Sequence, residues 1–247
     1  MLFENKVALV TGGSSGIGFG IAKELARQGA KVIITGRNAT KLTKAAQDLG
    51  PDVAWFIVDV TKSSEVTAMY ERVKSDYGQL DILVPNAGGG IIAPIGEITE
   101  EQIDQTLGTN IKGVILTVQG ALSLMKAGGS IVITGSTASF NPPPGMSVYG
   151  ASKAAVRNLV RSWIQEIKGS GIRINVVSPG PVHTESLETF FPPEQREAAF
   201  THMNGQSTVG RIGTPEDIAN AVVFLSNDAA SYINGVELFV DGGASQI

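Results

Sequence analysis

Seven short apolar runs recur along the chain, and longer stretches with a helical pattern separate them. The runs cover residues 7–10, 31–35, 53–58, 82–84, 130–134, 172–177 and 236–240. Because apolar residues follow one another without alternating with polar ones, the runs are typical of parallel strands that helices cover on both faces. The regular alternation of strand and helix predicts a single doubly wound α/β domain over residues 1–247, with about seven parallel strands and right-handed crossovers.

Helix-start signals lie between the runs. Residues 99–102 read Thr-Glu-Glu-Gln, a capping box, and residues 214–217 offer a threonine N-cap followed by proline and two acids. Another helix is expected to begin near Ser63. The longest segment without a strand or helix pattern is residues 179–214, and so long a segment in a compact domain is usually functional. We expect residues 181–210 to form a lid over the substrate.

Composition narrows the classes of function. The chain has no cysteine, which excludes a disulfide scaffold and a thiol nucleophile, and its net charge of -4 argues against nucleic acid as a partner. His183 and His202 are the only histidines and lack metal-ligand spacing, so no metal is expected. With no signal-peptide pattern and no apolar run near the ~20 residues of a membrane span, we expect a cytoplasmic protein without a membrane partner.

A glycine-rich turn follows the first run directly and leads into a helical stretch. It reads Thr-Gly-Gly-Ser-Ser-Gly-Ile-Gly over residues 11–18. Gly12 would permit a tight reversal, Gly16 would let a pyrophosphate approach the backbone, and Gly18 would let the helix pack closely on the strand. The expected phosphate contacts are Gly12, Ser14, Ser15, Gly16, Ile17 and Gly18. The turn therefore favours a Rossmann-type dinucleotide site, although its spacing departs from G-x-G-x-x-G and a plain connection is the alternative.

The end of the second run bears on which dinucleotide binds. NAD-binding units usually place a carboxylate there to hold the ribose 2′-hydroxyl. This chain has Arg37 and Asn38 at that point, with no carboxylate. A guanidinium is well matched to a 2′-phosphate, so we expect NADP(H) as the cofactor. The alternative is a surface arginine in a turn.

Further motifs follow in an order that resembles the short-chain dehydrogenase/reductase family over essentially the whole chain. They are Asp59-Val60, Asn86-Ala87-Gly88, Asn110 in Asn-Ile-Lys-Gly, Gly135-Ser136, Tyr149-Gly-Ala-Ser-Lys153, and Pro179-Gly180 with Val182 and Thr184. The resemblance implies that these motifs contact the cofactor, apart from Asn110 and Gly135-Ser136. Asp59 would lie on the adenine side, and Thr184 would lie near the nicotinamide. Pro85 departs from the asparagine of many members and removes a backbone donor near the adenosine ribose.

Tyr149 and Lys153 are four residues apart, so on a helix they share one face. A phenol with a pKa of about 10 is a poor base at neutral pH, and an adjacent ammonium favours the phenolate. Tyr149 is therefore the expected acid/base that exchanges a proton with the substrate. Each of these residues, taken singly, could have a structural role and no functional one. Asp59, for example, could be only a turn residue before the helix near Ser63.

The family resemblance implies the remaining catalytic roles. Ser136 would bond to the substrate oxygen, Lys153 would also hold the nicotinamide ribose, and Asn110 would anchor a water that feeds protons to Lys153. Thr137 and Ser139 are competing hydroxyls, and only the spacing selects Ser136.

The predicted function is thus an NADP(H)-dependent carbonyl reductase or alcohol dehydrogenase acting on a small molecule. The alternative from another class is a non-catalytic NADP(H)-binding sensor or scaffold. Among enzymes, the alternatives are a 3-oxoacyl carrier-protein reductase and a sugar dehydrogenase.

The predicted lid carries the aromatic residues Phe190, Phe191 and Phe200, and residues 141–146 would form a second wall near residues 90–92. These mostly apolar surfaces favour a ketone with a hydrophobic substituent. The alternative is that the three rings pack into the core or a neighbouring subunit. Residues 107–125 are apolar on more than one face, which favours a subunit interface, with burial in a large core as the alternative. The family resemblance implies a homotetramer.

The first prediction concerns cofactor preference. Replacing Arg37 by alanine removes a charged partner of the 2′-phosphate, which should cost on the order of 1.5–3 kcal/mol and mainly raise the KM for NADPH. Steady-state kinetics with NADPH and NADH check this. Equal kcat/KM for the two cofactors in the unmutated protein would contradict it.

Overall fold

The computed structural model of the protein describes residues 1–245, so the last two residues of the predicted domain lie outside it. The strands are β1 (Val7–Thr11), β2 (Lys31–Gly36), β3 (Ala54–Ile57), β4 (Ile82–Val84), β5 (Ser130–Thr134), β6 (Arg173–Pro179) and β7 (Glu237–Val240). The helices are α1 (Gly16–Arg27), α2 (Ala39–Leu49), α3 (Ser63–Tyr77), α4 (Glu100–Leu107), α5 (Val114–Ala121), α6 (Ser147–Glu166), α7 (Glu185–Glu188), α8 (Arg196–Gln206) and α9 (Pro215–Ser226). Within residues 1–245 none of the helices has the length and apolar character that crossing a membrane requires.

All strands belong to one parallel sheet with the order β3-β2-β1-β4-β5-β6-β7. The chain moves outward from β1 to β3 and then returns to β4 on the other side of β1. In such sheets ligands bind outside the carboxyl ends of the strands, at the point where the strand order reverses. We call this side of the sheet the carboxyl edge. The predicted doubly wound fold is confirmed.

Burial on both faces explains why the strand residues do not alternate in polarity. Every residue of β1 is buried. Val7 and Leu9 face a core formed with α3, α5 and α6, whereas Ala8 and Val10 face one formed with α1, α2 and α9. Because successive side chains of a strand point to opposite faces, both sets must be apolar.

The helix starts follow the sequence signals. Thr99 and Gln102 form both hydrogen bonds of the predicted capping box at α4. Thr214 and Asp217 do the same at α9, where Pro215 is the first helical residue. Helix α3 begins at Ser63, as expected.

Two sequence-based expectations need correction. Strand β6 runs two residues further than predicted, because Ser178 and Pro179 still pair with Phe239 and Val240 of β7. The segment 179–214 is not irregular, since it contains α7, a short turn at Pro193–Gln195, and α8. No residue of α8 is buried, so its sequence carries no apolar face from which a helix could be predicted.

Candidate active site

Asn86 connects the ends of β1, β4 and β5 through hydrogen bonds at the carboxyl edge. Its Nδ2 donates to the carbonyl oxygens of Thr11 at 3.0 Å and Gly12 at 3.3 Å, and its Oδ1 accepts from Thr134 Oγ1 at 3.2 Å. The backbone N–H groups of Asn86 and Ala87 both donate to Thr11 Oγ1 at 3.0 Å. The segment after β4 is therefore held against the glycine-rich turn after β1, and both are held against the end of β5.

The glycine-rich turn has the backbone that its glycines allow. Gly12 and Gly16 have φ angles of 66° and 54°, in the left-handed region that favours glycine. A Cβ atom at Gly18 would overlap the carbonyl oxygen of Gly12, so α1 could not pack this closely with any other residue. The conformational roles expected for Gly12 and Gly18 are confirmed. A Cβ at Gly16 would lie 3.3 Å from Thr184 Cγ2, which brings the lid beside the turn.

The start of α1 has the properties of an anion site. Ser15 is the N-cap with an extended backbone, but its side chain makes no capping hydrogen bond. The first N–H groups of a helix have no acceptor within the helix, and the helix dipole adds positive potential at this end. The turn and the helix start therefore fit the pyrophosphate of a dinucleotide, with Ser14, Ser15, Gly16, Ile17 and Gly18 as the residues that would hold it.

Arg37 and Asn38 lie where β2 ends and α2 begins. Arg37 is exposed. The Asn38 side chain caps α2 by accepting from the Lys41 N–H at 2.9 Å, so that oxygen already has a partner. Lys41 Nζ lies 3.6 Å from Glu185 Oε2 of α7, and both side chains are exposed. This ion pair joins the lid to the helix whose start would bind the 2′-phosphate.

Asp59 makes the contacts of a turn residue before α3. Its Oδ1 accepts from the Thr61 N–H at 3.0 Å and from Thr61 Oγ1 at 2.8 Å. Burial raises the pKa of Asp59, but the two bonds from Thr61 and the charge of Arg37 oppose it, so the net pKa lies below its usual value. The neighbouring Val60 side chain is buried against Gly113. Contact of Asp59 and Val60 with the adenine stays a prediction.

Tyr149 and Lys153 lie on the first turns of α6 and share a face. The Lys153 side chain is almost completely buried, with the residue 4% exposed, and Nζ donates to the Thr134 carbonyl at 2.8 Å. Nζ also lies 5.8 Å from the centroid of the Tyr149 ring. Burial lowers the pKa of Lys153 to about 8. Sequence reasoning did not single out Thr134, although its place directly before Gly135-Ser136 was a usable signal.

Ser136 is the hydroxyl that interacts with Tyr149. It begins the short turn Thr137–Ser139, and its Oγ accepts from the Ala138 N–H at 3.2 Å. Burial raises the pKa of Tyr149, and the hydrogen bond with Ser136 partly opposes this. The phenol of the protein alone is thus protonated at neutral pH. The sequence-based expectation considered only the nearby ammonium, which favours the phenolate. Burial has the larger effect on the pKa of Tyr149 in the protein without cofactor.

Asn110 lies in a π-helical turn, Gly108–Gly113, that joins α4 to α5. Such wide turns inside α-helices are frequent at functional sites. Its side chain is fully buried: Nδ2 donates to the Gly89 carbonyl at 2.8 Å and to Ser152 Oγ at 2.9 Å, and Oδ1 accepts from the Gly89 N–H at 3.0 Å. Asn110 therefore ties the segment after β4 to α6. Its proposed water-anchoring role stays a prediction.

Two glycines allow Tyr149, Lys153 and Asn110 to lie close to the backbone of the segment after β4. A Cβ atom at Gly88 would lie 3.0 Å from Asn110 Oδ1 and 3.3 Å from Lys153 Nζ. A Cβ at Gly90 would overlap the Tyr149 ring. Larger residues at either position would displace the side chains that we expect to do the chemistry.

The end of β6 forms the other side of the site. The Gly180 N–H donates to the Val240 carbonyl at 3.1 Å, and Val182 is buried where it bridges to Gly213. Thr184 is the N-cap of α7, where its hydroxyl accepts from the Leu187 N–H at 3.1 Å. Pro179, Gly180, Val182 and Thr184 thus lead from the sheet to the glycine-rich turn.

The lid aromatics divide into two groups. Phe191 and Phe200 pack edge to face with centroids 6.4 Å apart, and Phe200 packs in the same way on His183 at 5.1 Å. These rings therefore pack on one another within the segment predicted to be a lid. Phe190 is 39% exposed. Only Phe190 retains the exposure expected of a residue that could contact a substrate.

The buried ammonium generates a prediction about pH. Lys153 has a pKa of about 8 in the folded protein, whereas an unfolded lysine has one of about 10.4. Between these values the unfolded chain binds more protons, so this group makes the free energy of unfolding rise with pH. Urea unfolding without cofactor should show wild type gaining stability relative to Lys153→Met from about pH 8 to about pH 10. A difference independent of pH in this range would contradict the burial of the ammonium.

Comparison with known proteins agrees with this geometry. Residues 12–245 match the family model described as enoyl-(acyl carrier protein) reductase. The chain is 44% identical to oxidoreductase asL5 of Sarocladium schorii, over 98% of this chain and 96% of that protein. It is 36% identical to the 3-oxoacyl-acyl-carrier-protein reductase FabG of Thermotoga maritima, over 98% of this chain and 99% of that protein.

A solved structure gives the same result. A short-chain dehydrogenase from Burkholderia cenocepacia, in complex with NADP, superimposes with a TM-score of 0.89. It is 34% identical, and the match covers 99% of both chains. The protein therefore belongs to the short-chain dehydrogenase/reductase family of oxidoreductases.

Proposed function

We propose that the protein is an NADP(H)-dependent oxidoreductase that interconverts a ketone or aldehyde with an alcohol, with Tyr149 as the acid/base. The observation that carries this is a buried lysine ammonium 5.8 Å from the ring of a half-buried tyrosine. A helix start suited to phosphate lies at the same edge of the sheet. The NADP in the Burkholderia relative supports the choice of cofactor.

The chain's own residues account for binding of the dinucleotide. The N–H groups at the start of α1 would bind the pyrophosphate, and Arg37 would bind the 2′-phosphate at the end of β2, where no carboxylate competes. Lys153, whose Nζ lies close to Gly88, would hold the nicotinamide ribose. When bound, the cofactor supplies the hydride for the carbonyl carbon.

The acid/base step follows from the environment of Tyr149. In reduction Ser136 donates a hydrogen bond to the substrate oxygen, and Tyr149 gives its proton to the alkoxide that develops there. Because burial raises the pKa of Tyr149, the proton is present when reduction begins. The Lys153 ammonium then stabilises the phenolate that remains, and each unit of pKa shift it causes corresponds to about 1.4 kcal/mol.

The surroundings of Tyr149 favour a ketone with a hydrophobic substituent. Gly90 contacts the ring, and the following Ile91 and Ile92 are exposed beside it. The Ala93 N–H donates to the Gly145 carbonyl at 2.9 Å, which holds this segment against the proline-rich stretch 142–144. Phe190 of the lid adds exposed apolar surface. A free sugar would leave its hydroxyls without partners on such a surface.

A second candidate is reduction of a 3-oxoacyl group on a carrier protein, which the likeness to the Thermotoga maritima reductase favours. That reaction needs a basic surface to bind an acidic carrier, and the net charge of the chain is -4. A cofactor-oxidation screen across aryl ketones, β-ketoesters, sugars and acyl thioesters distinguishes these substrates. Turnover of none of them would favour the non-catalytic sensor or scaffold.

Assembly and location stay predictions of the sequence. Leu159, Trp163 and Ile164 of α6 are only half-buried in the protomer, which supports a subunit interface and the expected homotetramer. A cytoplasmic location is likewise proposed from the sequence alone.

Replacing Tyr149 by phenylalanine keeps the ring and removes the transferable proton. We expect kcat to fall on the order of 10²–10⁴-fold while the Kd for NADPH, measured by fluorescence, stays unchanged. Tyr232→Phe, at a fully exposed tyrosine, is the matched control and should keep wild-type kinetics. If Tyr149→Phe retained more than about a tenth of kcat, another group would have to be the acid.

Truncation of the lid aromatics tests the substrate class. Phe190→Ala should raise the KM for apolar ketones more than for small polar ones, because it removes apolar contact area worth about 25 cal/mol per Å². Phe191→Ala should do the same indirectly, since its ring packs on Phe200 within the lid. Phe224, 42% exposed near the end of α9, provides the control. Unchanged selectivity in both lid variants would argue against a hydrophobic substrate.

A further inference from the structure

Glu237, the first residue of β7, is a buried carboxylate with partners on three other elements. Its side chain is 8% exposed. Oε1 accepts from Ser139 Oγ and from Ser178 Oγ, both at 2.7 Å, and Oε2 lies 3.3 Å from Arg157 Nη1. Burial of a charge is costly unless it is paired and hydrogen-bonded, and these partners meet that requirement.

Each partner adjoins a part of the proposed active site. Ser139 ends the short turn that Ser136 begins. Ser178 lies directly before Pro179 and Gly180 at the end of β6. Arg157 follows Lys153 by one turn of α6. A single carboxylate therefore joins the Ser136 turn to β6 and α6, which adjoin the proposed active site.

A second contact holds the same turn on β7. Phe140, directly after Ser139, packs edge to face on Phe239 with ring centroids 6.3 Å apart. Residues two apart on a strand point to the same face, so Glu237 and Phe239 lie side by side. The turn is thus fixed to β7 by one polar and one aromatic contact.

We propose that Glu237 is the positioning residue that holds the Ser136 hydroxyl in place for the substrate oxygen. This rests on the proposed function of the site. Glu237 bonds to neither Ser136 nor Tyr149 and acts through the turn. A glutamine there keeps the size but loses the negative charge that pairs with Arg157 and one of the two carboxylate oxygens that accept hydrogen bonds.

The test compares Glu237→Gln with wild type by kcat, the KM for the ketone and the Kd for NADPH. Loss of alignment at Ser136 should lower kcat on the order of 10- to 100-fold. The Kd should change by no more than about twofold, because other residues bind the phosphates. Asp81→Asn is the matched control: Asp81 accepts from the Val7 N–H at 2.9 Å and pairs with Lys6 at the opposite edge of the sheet. It should leave kcat within about twofold.

A double variant separates positioning from general damage. If Glu237 acts through Ser136, adding Glu237→Gln to Ser136→Ala should lower kcat by no more than about twofold further. Independent losses that multiply would overturn the proposal. Ser139→Ala, which leaves the carboxylate with Ser178 and Arg157, provides a milder variant and should also lower kcat.

The outcomes distinguish this inference from the function on which it rests. Wild-type turnover together with unchanged kcat in Glu237→Gln overturns the role of Glu237 alone. If Glu237→Gln does not fold, unchanged kcat in Ser139→Ala overturns it instead. A wild-type protein without carbonyl turnover overturns the proposed function and this inference with it.

Discussion

The buried ammonium of Lys153 is the constraint to which the rest of the site is fitted. A buried charge costs several kcal/mol unless its surroundings compensate it, and burial lowers the pKa of this group to about 8. Lys153 Nζ donates a hydrogen bond to the Thr134 carbonyl oxygen at 2.8 Å, and the centroid of the Tyr149 ring lies 5.8 Å from Nζ. The Thr134 hydroxyl in turn bonds to Asn86, which holds the glycine-rich turn. One short series of contacts therefore links Tyr149 and Lys153, the proposed acid/base pair, to the glycine-rich turn.

The parallel sheet is what makes these short links possible. The ends of β1, β4, β5 and β6 meet at one edge, so residues far apart in sequence become neighbours without a long loop. The strands supply backbone carbonyls and small polar groups, and α6 supplies the tyrosine and the lysine. Rigid elements hold the proposed acid and cation, whereas the lid carries the exposed Phe190 that we connect with substrate choice. Under the proposed function, the chemistry and the specificity thus depend on different parts of the chain.

Local patterns predicted the fold and the placement of Tyr149 and Lys153 on one helix face, whereas tertiary packing determined what they missed. Unbroken apolar runs indicated a sheet buried on both faces, and the four-residue spacing placed Tyr149 and Lys153 on one helix face. The sequence offers no comparable signal for α8, which buries no residue. The pKa of Tyr149 depends on burial that local sequence does not reveal. The partners Ser178 and Ser139 are 59 and 98 residues from Glu237, beyond any local pattern.

Transfer of deuterium tests the central claim most directly. The protein would be incubated with a hydrophobic ketone and NADPH deuterated at C4 of the nicotinamide ring, each C4 epimer separately, and the product would be analysed by mass spectrometry. The account predicts an alcohol that carries one deuterium on the carbinol carbon and receives it from one epimer only. An unlabelled alcohol from both epimers, or oxidation of NADPH without any alcohol, would contradict hydride transfer at this site.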